Sequence, residues 1–130
     1  MAEGFARAYG SDVLVPASAG LTPATQIAPD TIRAMAEKGI DLRSHFTKHI
    51  HHLSRIQFDL IINMSGSPLP ESLAEREVRT WEVEDPVWMN YEDHCAVRDQ
   101  IERLVMELIL ELRRAQQNSG LRGMSSTPNL

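Results

Sequence analysis

Asp85 and Pro86 are the residues of this chain best placed to do chemistry. They follow Val78-Arg79-Thr80-Trp81-Glu82-Val83, an alternating run that reads as a strand. In open α/β sheets, ligands bind just outside the carboxyl ends of strands. Proline fixes the loop and biases the aspartate before it toward extended backbone. A carboxyl held there could give a proton as general acid and take one back as general base. The same dipeptide also makes ordinary Asx turns, so spacing alone leaves both readings open. Trp88 and Tyr91 follow closely and could rim a substrate cleft, or pack a domain edge instead.

Two other groups invite a chemical reading. His45, His49, His51 and His52 crowd one segment, and on a helix the i,i+4 and i,i+3 pairs would set two imidazoles on one metal. No cysteine lies near them and Lys48 puts a positive charge among them, so they read as a solvated His-rich helix. No metal and no cofactor are expected. Cys95 is the sole cysteine, with Arg98 three residues on. Phosphate-cradling loops need curled backbone N–H groups, usually with glycine, ahead of a helix. Asp93-His94-Cys95-Ala96-Val97-Arg98 has no glycine and sets a carboxylate beside the thiol. Cys95 therefore reads as a small buried hydrophobe, and His94 says little.

The elements that position these residues follow from periodicity. Met1, Phe5, Ala8 and Tyr9 recur at helical spacing, and Gly10 suits the position just past a helix end. Val13-Leu14-Val15 is a short apolar run broken by Pro16, and a Pro-rich loop follows. Pro29 and Asp30 open a second helix that Gly39 stops, with Ile32, Met35 and Ala36 on one face. Thr47 fits as N-cap of a small helix carrying Ile50 and Leu53. Phe58-Asp59-Leu60-Ile61-Ile62-Asn63-Met64 is nearly all apolar, which predicts a strand buried on both faces of a parallel sheet. Trp81, on the next strand, reads as core. Ile101, Leu104, Val105, Leu108, Ile109 and Leu112 give a wide apolar face to a last helix over about 95–114. Residues 115–130, rich in Ser, Gly, Asn and Gln, read as a disordered tail. Alternating strands and helices predict an α/β domain over 1–114, a three-layer parallel sheet flanked by helices.

At 130 residues the chain fits one domain. Thirteen Lys and Arg against eighteen Asp and Glu give 13 − 18 = −5, so no global basic field favours nucleic acid or an anionic membrane. One cysteine rules out an internal disulfide framework and suits a cytoplasmic protein. No apolar run has the ~18–20 residues of a membrane span.

Taken together, these pieces resemble the low-molecular-weight protein-tyrosine phosphatase family, which includes related arsenate reductases. Met1-Ala2-Glu3 is similar to the start of the helix after that family's phosphate loop, and Ala17-Ser18-Ala19-Gly20 to its second-strand Ser-Ala-Gly. Gly39-Ile40-Asp41 resembles its helix-end link, and Phe58-Asp59-Leu60-Ile61-Ile62 its third strand. Asp85-Pro86 resembles its general-acid motif. The resemblance implies a cysteinyl-phosphate intermediate, with Asp85 protonating the leaving group and then activating water. It implies that Glu3 and Ser18 support the phosphate loop from behind. The expected substrate is a phosphorylated protein, a small phosphomonoester or arsenate.

In the family, a central first strand runs into a Cys-x5-Arg-Ser loop immediately ahead of the Met-Ala-Glu helix. This sequence begins just after that loop. The expectation is therefore that the native protein starts upstream and the chain as written is inactive. The rival expectation is a non-catalytic interaction protein, a homodimer through the apolar face of the last helix. Met64-Ser65-Gly66-Ser67-Pro68 lacks the cysteines of thioredoxin-coupled reductases, which leaves a small-thiol-coupled reductase open. Trp81 looks closer to the reductase branch. Val87-Trp88 departs from the paired tyrosines that animal-type phosphatases tend to carry after Asp-Pro.

Overall fold

The computed structural model of the chain describes residues 1–20, 26–53, 56–74 and 77–126. Its first element is helix α1, Ala2–Gly10, which has Glu3 in its first turn and Arg7 in its last. Each charge complements the helix dipole at its own end, and the two join as an i,i+4 pair at 2.9 Å. Gly10 is the last residue of the helix, not the residue beyond it. Its role is close approach: a Cβ there would lie 2.7 Å from Ile109.

Helix α2, Pro29–Ala36, opens on proline, whose fixed φ suits the first helical turn. Gly39 stops it as expected, at φ +75°, a conformation that favours glycine. A 3₁₀ turn at Ile50–Leu53 stands where a small helix capped by Thr47 was expected. It begins three residues past Thr47, and the backbone between them is tied elsewhere. Gly20 N–H donates to Lys48 O at 2.9 Å and Ile50 N–H to Gly20 O at 3.0 Å, making a parallel bridge between Gly20 and His49.

Strands β1, Ile61–Asn63, and β2, Val78–Thr80, form a two-stranded parallel sheet in the register Ile61↔Val78, connected through the short helix α3, Glu71–Ala74. The architecture is α/β, a small parallel sheet flanked by helices. Both strands are shorter than their apolar runs. β1 is half-buried, where burial on both faces was expected, because among the described residues it pairs with β2 alone. A groove of about 480 Å³ takes in every residue of β1 and none of β2. Residues 14–20 form its opposite wall, and no backbone–backbone hydrogen bond joins 15–19 to another described residue. Apart from the Gly20 bridge, the Ser18-Ala19-Gly20 segment is thus unladdered among the described residues.

Helix α4, Tyr91–Ser126, is the spine. Asn90 caps it, its Oδ1 accepting from Asp93 N–H at 2.8 Å. Val97, Ile101, Val105 and Ile109 fall four residues apart on one buried stripe, which packs on Phe5 and Ala6 of α1 and on Met35, Ile40 and Leu42. Met64, Trp81 and Met89 pack against the edge of this core. The helix continues past Arg114, where the composition had suggested a disordered tail from 115. No proline interrupts it before Pro128, and residues 114–118 run on exposed. Positions 127–130 of that tail lie outside the described residues. None of the helices is long and apolar enough to cross a membrane, among the described residues.

Two side chains of α4 lock it to α2. Arg98, buried, donates to Ala34 O at 3.0 Å and to Glu37 Oε2 at 2.8 Å, placing a cation at the C-terminal end of α2. His94, 1% exposed, meets Thr31 Oγ1 at 3.0 Å through Nε2.

Candidate functional site

The first turns of α1 open onto a cavity of about 840 Å³, lined also by Ser18-Ala19-Gly20, residues 44–48 and Asp85. Helix periodicity makes this geometry: Phe5 and Ala6 turn into the core while Glu3, Gly4 and Arg7 line the cavity. Asp85 reaches it from the end of the β2 segment. Its backbone is extended (φ −76°, ψ 117°) and its Oδ1 accepts from Val87 N–H at 3.1 Å, capping a 3₁₀ turn at Pro86–Trp88. The Asx-turn reading and the cavity reading are both satisfied. One carboxylate oxygen holds the turn, and the residue still faces the cavity.

Glu3 is the electrostatic hub. Ser18 Oγ donates to Glu3 Oε1 at 2.6 Å and Arg7 Nε to Oε2 at 2.9 Å. Lys48 Nζ and His45 Nδ1 each stand 3.8 Å from its oxygens. Burial works against the charged carboxylate, but the Ser18 and Arg7 hydrogen bonds and the Lys48 charge outweigh it and hold Glu3 below its usual range. Arg7 also donates to Pro16 O at 2.9 Å, fixing the wall that carries Ser18. Glu3 and Asp85 thus face Arg7, Lys48 and, when protonated, His45. This is a compact polar site in which two carboxylates and the basic side chains of Arg7, His45 and Lys48 line one cavity.

The sequence-level candidates sort unevenly around this cavity. Asp85, Glu3 and Ser18 meet there. Trp88 stands at the end of the Pro86–Trp88 turn, 94% exposed, and does not line the cavity. Tyr91 is turned toward α2, with the Arg33 guanidinium 3.8 Å from its ring centroid, so it is no part of the cavity rim. Its hydroxyl is buried without a hydrogen-bond partner among the described residues. That burial, with the Cys95 and Glu37 groups nearby, pushes its pKa up to about 12.

Cys95 lies on the same α2–α4 face, its Sγ 3.7 Å from Glu37 Oε2 and 3.6 Å from Arg98 Nη1, away from the cavity lining. Of the His-rich segment only His51 and His52 are helical, in the 3₁₀ turn Ile50–Leu53, and His45 and His49 precede it. His45 turns to Glu3, while the His49 and His51 rings stack at 4.3 Å. Among the described residues, no group of three or more His, Cys, Asp or Glu side chains comes together as a metal site.

Sequence reasoning missed Arg7, His45 and Lys48 as cavity residues. The available signal was a basic stretch over 42–58, which contains no carboxylate.

Known proteins share this arrangement of chain. Residues 1–118 match the family described as low molecular weight phosphotyrosine protein phosphatase. A protein of Synechocystis sp. named glutaredoxin arsenate reductase is 30% identical over 115 residues, 86% of this chain and 87% of that protein. A putative arsenate reductase of Halobacterium salinarum is 27% identical over 92 residues, 71% of this chain and 65% of its own length. Among solved structures, an arsenate reductase in the phosphate binding state superposes with a TM-score of 0.78 at 29% identity, covering 85% of this chain and 86% of the other. An arsenate reductase in the reduced state does so at 0.75 and 30% identity, with the same coverage. The helix that opens on Glu3, the Ser-Ala-Gly wall, the parallel strands and the Asp-Pro turn all fall within the matched span, and the chain belongs to the low molecular weight phosphotyrosine protein phosphatase family.

Proposed function

We propose that the cavity at α1 handles a tetrahedral oxyanion, and that the oxyanion is arsenate. The observation that carries this reading is the meeting of Asp85 with Arg7, His45 and Lys48 in one cavity: an acid–base side chain among basic ones that can hold an anion. Similarity to proteins named arsenate reductase supports arsenate over phosphotyrosine. Val87-Trp88, standing where paired tyrosines would follow Asp-Pro, supports it as well.

The chemistry needs two thiols. A thiolate attacks arsenic and forms an As–S bond. Asp85 protonates the departing hydroxide, which leaves as water. A second thiolate attacks that sulfur, the As–S bond breaks, and its electron pair stays on arsenic. Arsenite leaves and a disulfide remains, so two thiols are oxidised for each As(V) reduced to As(III). Cys95, the sole cysteine of the 130 residues, lies outside the cavity lining and supplies neither.

In this reading the first thiol belongs to a Cys-x5-Arg-Ser loop ahead of α1. The groove between residues 14–20 and β1, where backbone stands without a ladder partner among the described residues, suits one further strand. The second thiol is a small-molecule or protein thiol. The unit proposed to carry this chemistry is 1–114 together with that loop. Phosphomonoester hydrolysis would use the same parts, with Asp85 protonating an alkoxide or phenoxide and then activating water.

The test sets thiol-dependent arsenate turnover beside aryl-phosphate hydrolysis, in protein expressed with its in-frame upstream codons. Faster arsenite formation supports the proposal, and faster phosphate release moves the function to phosphatase. No upstream Cys-x5-Arg-Ser, with neither arsenate nor phosphate bound by the 130-residue chain in calorimetry, would overturn the oxyanion reading.

A further inference from the structure

We propose that His45 sets the charge of the cavity, and that an oxyanion enters it together with a proton taken up by the His45 imidazole. The proposal rests on the oxyanion reading for its ligand. Without His45, the side chains lining the cavity are balanced: Glu3 and Asp85 are acidic, Arg7 and Lys48 basic. Arg7 pairs with Glu3 at 2.9 Å, and Lys48 stands 3.8 Å from the same carboxylate. Asp41 and Arg43, on the segment leading to His45, cancel each other at 2.8 Å and lie outside the lining. Neither permanent cation of the lining is therefore spare. His45 is the one histidine of the lining among the described residues, and a proton on it leaves the side chains one positive charge in excess.

Over the range of about pH 5 to 8 histidine changes charge, while lysine, arginine and ordinary carboxylates do not. Glu3 keeps its charge throughout: burial opposes it, yet the Ser18 and Arg7 hydrogen bonds and the Lys48 charge hold it below its usual range. Met1 lines the cavity too, and burial pushes its amino group down while Glu3 pulls it up. The His45 side chain is 23% exposed, with Nδ1 3.8 Å from Glu3 Oε2. Its charge therefore arises in a sheltered place, where it acts more strongly on an anion than in bulk water. A cation gained within ~4–6 Å of an anion is worth about tenfold in affinity. Substrate and product then differ. Arsenate is an anion and draws the proton onto His45, whereas arsenite is an uncharged acid near neutral pH and does not.

Calorimetry of the 130-residue chain with inorganic sulfate tests this, because sulfate stays a dianion over the whole range while arsenate and phosphate change charge within it. The wild-type chain should bind sulfate about tenfold more tightly at about pH 5.5 than at about pH 8. Near neutral pH its binding heat should vary with the ionisation enthalpy of the buffer, the mark of proton uptake. His45→Gln should bind with nearly one affinity at both pH values and take up no proton. His45→Lys should bind at both as tightly as wild type does at the lower. His52→Gln, exposed and outside the lining, should match wild type. Circular dichroism checks that each variant keeps its fold.

A His45→Gln chain that keeps the whole pH dependence would assign it to the Met1 amino group or Asp85 and overturn the proposal. So would wild-type affinities that are equal at the two pH values, with the oxyanion reading left standing. Failure to bind sulfate or arsenate at either pH would remove that reading and the role of His45 with it.

Discussion

Replacing Gly10 with alanine should destabilise the fold, while the same change at Gly4, on the same helix, should be close to neutral. A Cβ on Gly10 would lie 2.7 Å from both Cγ1 and Cδ1 of Ile109 and 3.3 Å from Leu14 Cδ1. Ile109 is fully buried in the seam between α1 and α4, so relief requires the helices to part. Overpacking of this kind costs about 1–3 kcal/mol. Alanine recovers up to ~1 kcal/mol over glycine in a helix interior, but Gly10 ends its helix and recovers less. The expected net loss is about 1–2 kcal/mol, a fall in Tm of about 4–10 °C.

At Gly4 the atoms met are Leu42 Cδ2 at 3.0 Å and Met35 Cε at 3.1 Å, the ends of side chains that can turn aside. There the propensity gain offsets the crowding. Urea unfolding followed by far-UV circular dichroism, with unchanged slopes, gives both differences directly. Ile109→Val removes one clashing carbon, so Gly10→Ala should cost less in that background than in the wild type. A Gly10→Ala protein as stable as wild type, or a Gly4→Ala protein that loses more, would refute the reasoning and the α1–α4 seam with it.

Other perturbations probe the site and its supports. Glu3 is held below its ordinary 4.5, so the stability it contributes is complete above about pH 4.5 and drains as pH falls through its lowered value. Glu3→Gln should therefore flatten the acid limb of a Tm-against-pH profile, and identical acid limbs would contradict the hub. Arg98→Ala leaves Ala34 O without its cation and should cost about 1–3 kcal/mol, read from the urea midpoint. An unmoved midpoint would show that the α2–α4 lock is idle. In an active form, Asp85→Asn should slow substrates with poor leaving groups about 100-fold and good ones much less. Equal slowing would remove Asp85 as the proton donor.

What the sequence disclosed was whatever depends on neighbours along the chain. Val97, Ile101, Val105 and Ile109 announce α4 because four-residue spacing is local, as is the stop that Gly39 sets at φ +75°. The extended backbone of Asp85 was legible because Pro86 restricts it whatever surrounds it. Quantities set by distant partners were not. The apolar run over 58–64 is consistent with a central strand, but strand length depends on a ladder, and β1 has one neighbour. Residues 42–53 have no period, so nothing along the chain showed that His45 and Lys48 face Glu3. Tyr91 stayed open between cleft rim and domain edge for a related reason: proximity to Asp85 in sequence said nothing of Arg33, whose guanidinium lies 3.8 Å from its ring centroid.

The same locality explains why α1 couples stability to function. One face of its nine residues holds Phe5, Ala6 and Gly10 against α4, and the other presents Glu3, Gly4 and Arg7 to the cavity. The α-helical repeat sets the angle between those faces, so any shift at the Gly10–Ile109 contact is carried along a rigid helix to Glu3. Ser18 reaches Glu3 from a segment that Arg7 of α1 itself holds through Pro16 O, whereas Lys48 and His45 come from a segment bridged to the chain at Gly20 and His49. A displaced α1 therefore carries the Ser18 wall with it and changes the 3.8 Å spacing of Glu3 from Lys48 and His45. Gly10→Ala should thus weaken arsenate binding even at temperatures where the chain remains fully folded. If calorimetry returns wild-type affinity from a folded Gly10→Ala protein, the cavity is positioned by the loops and not by α1.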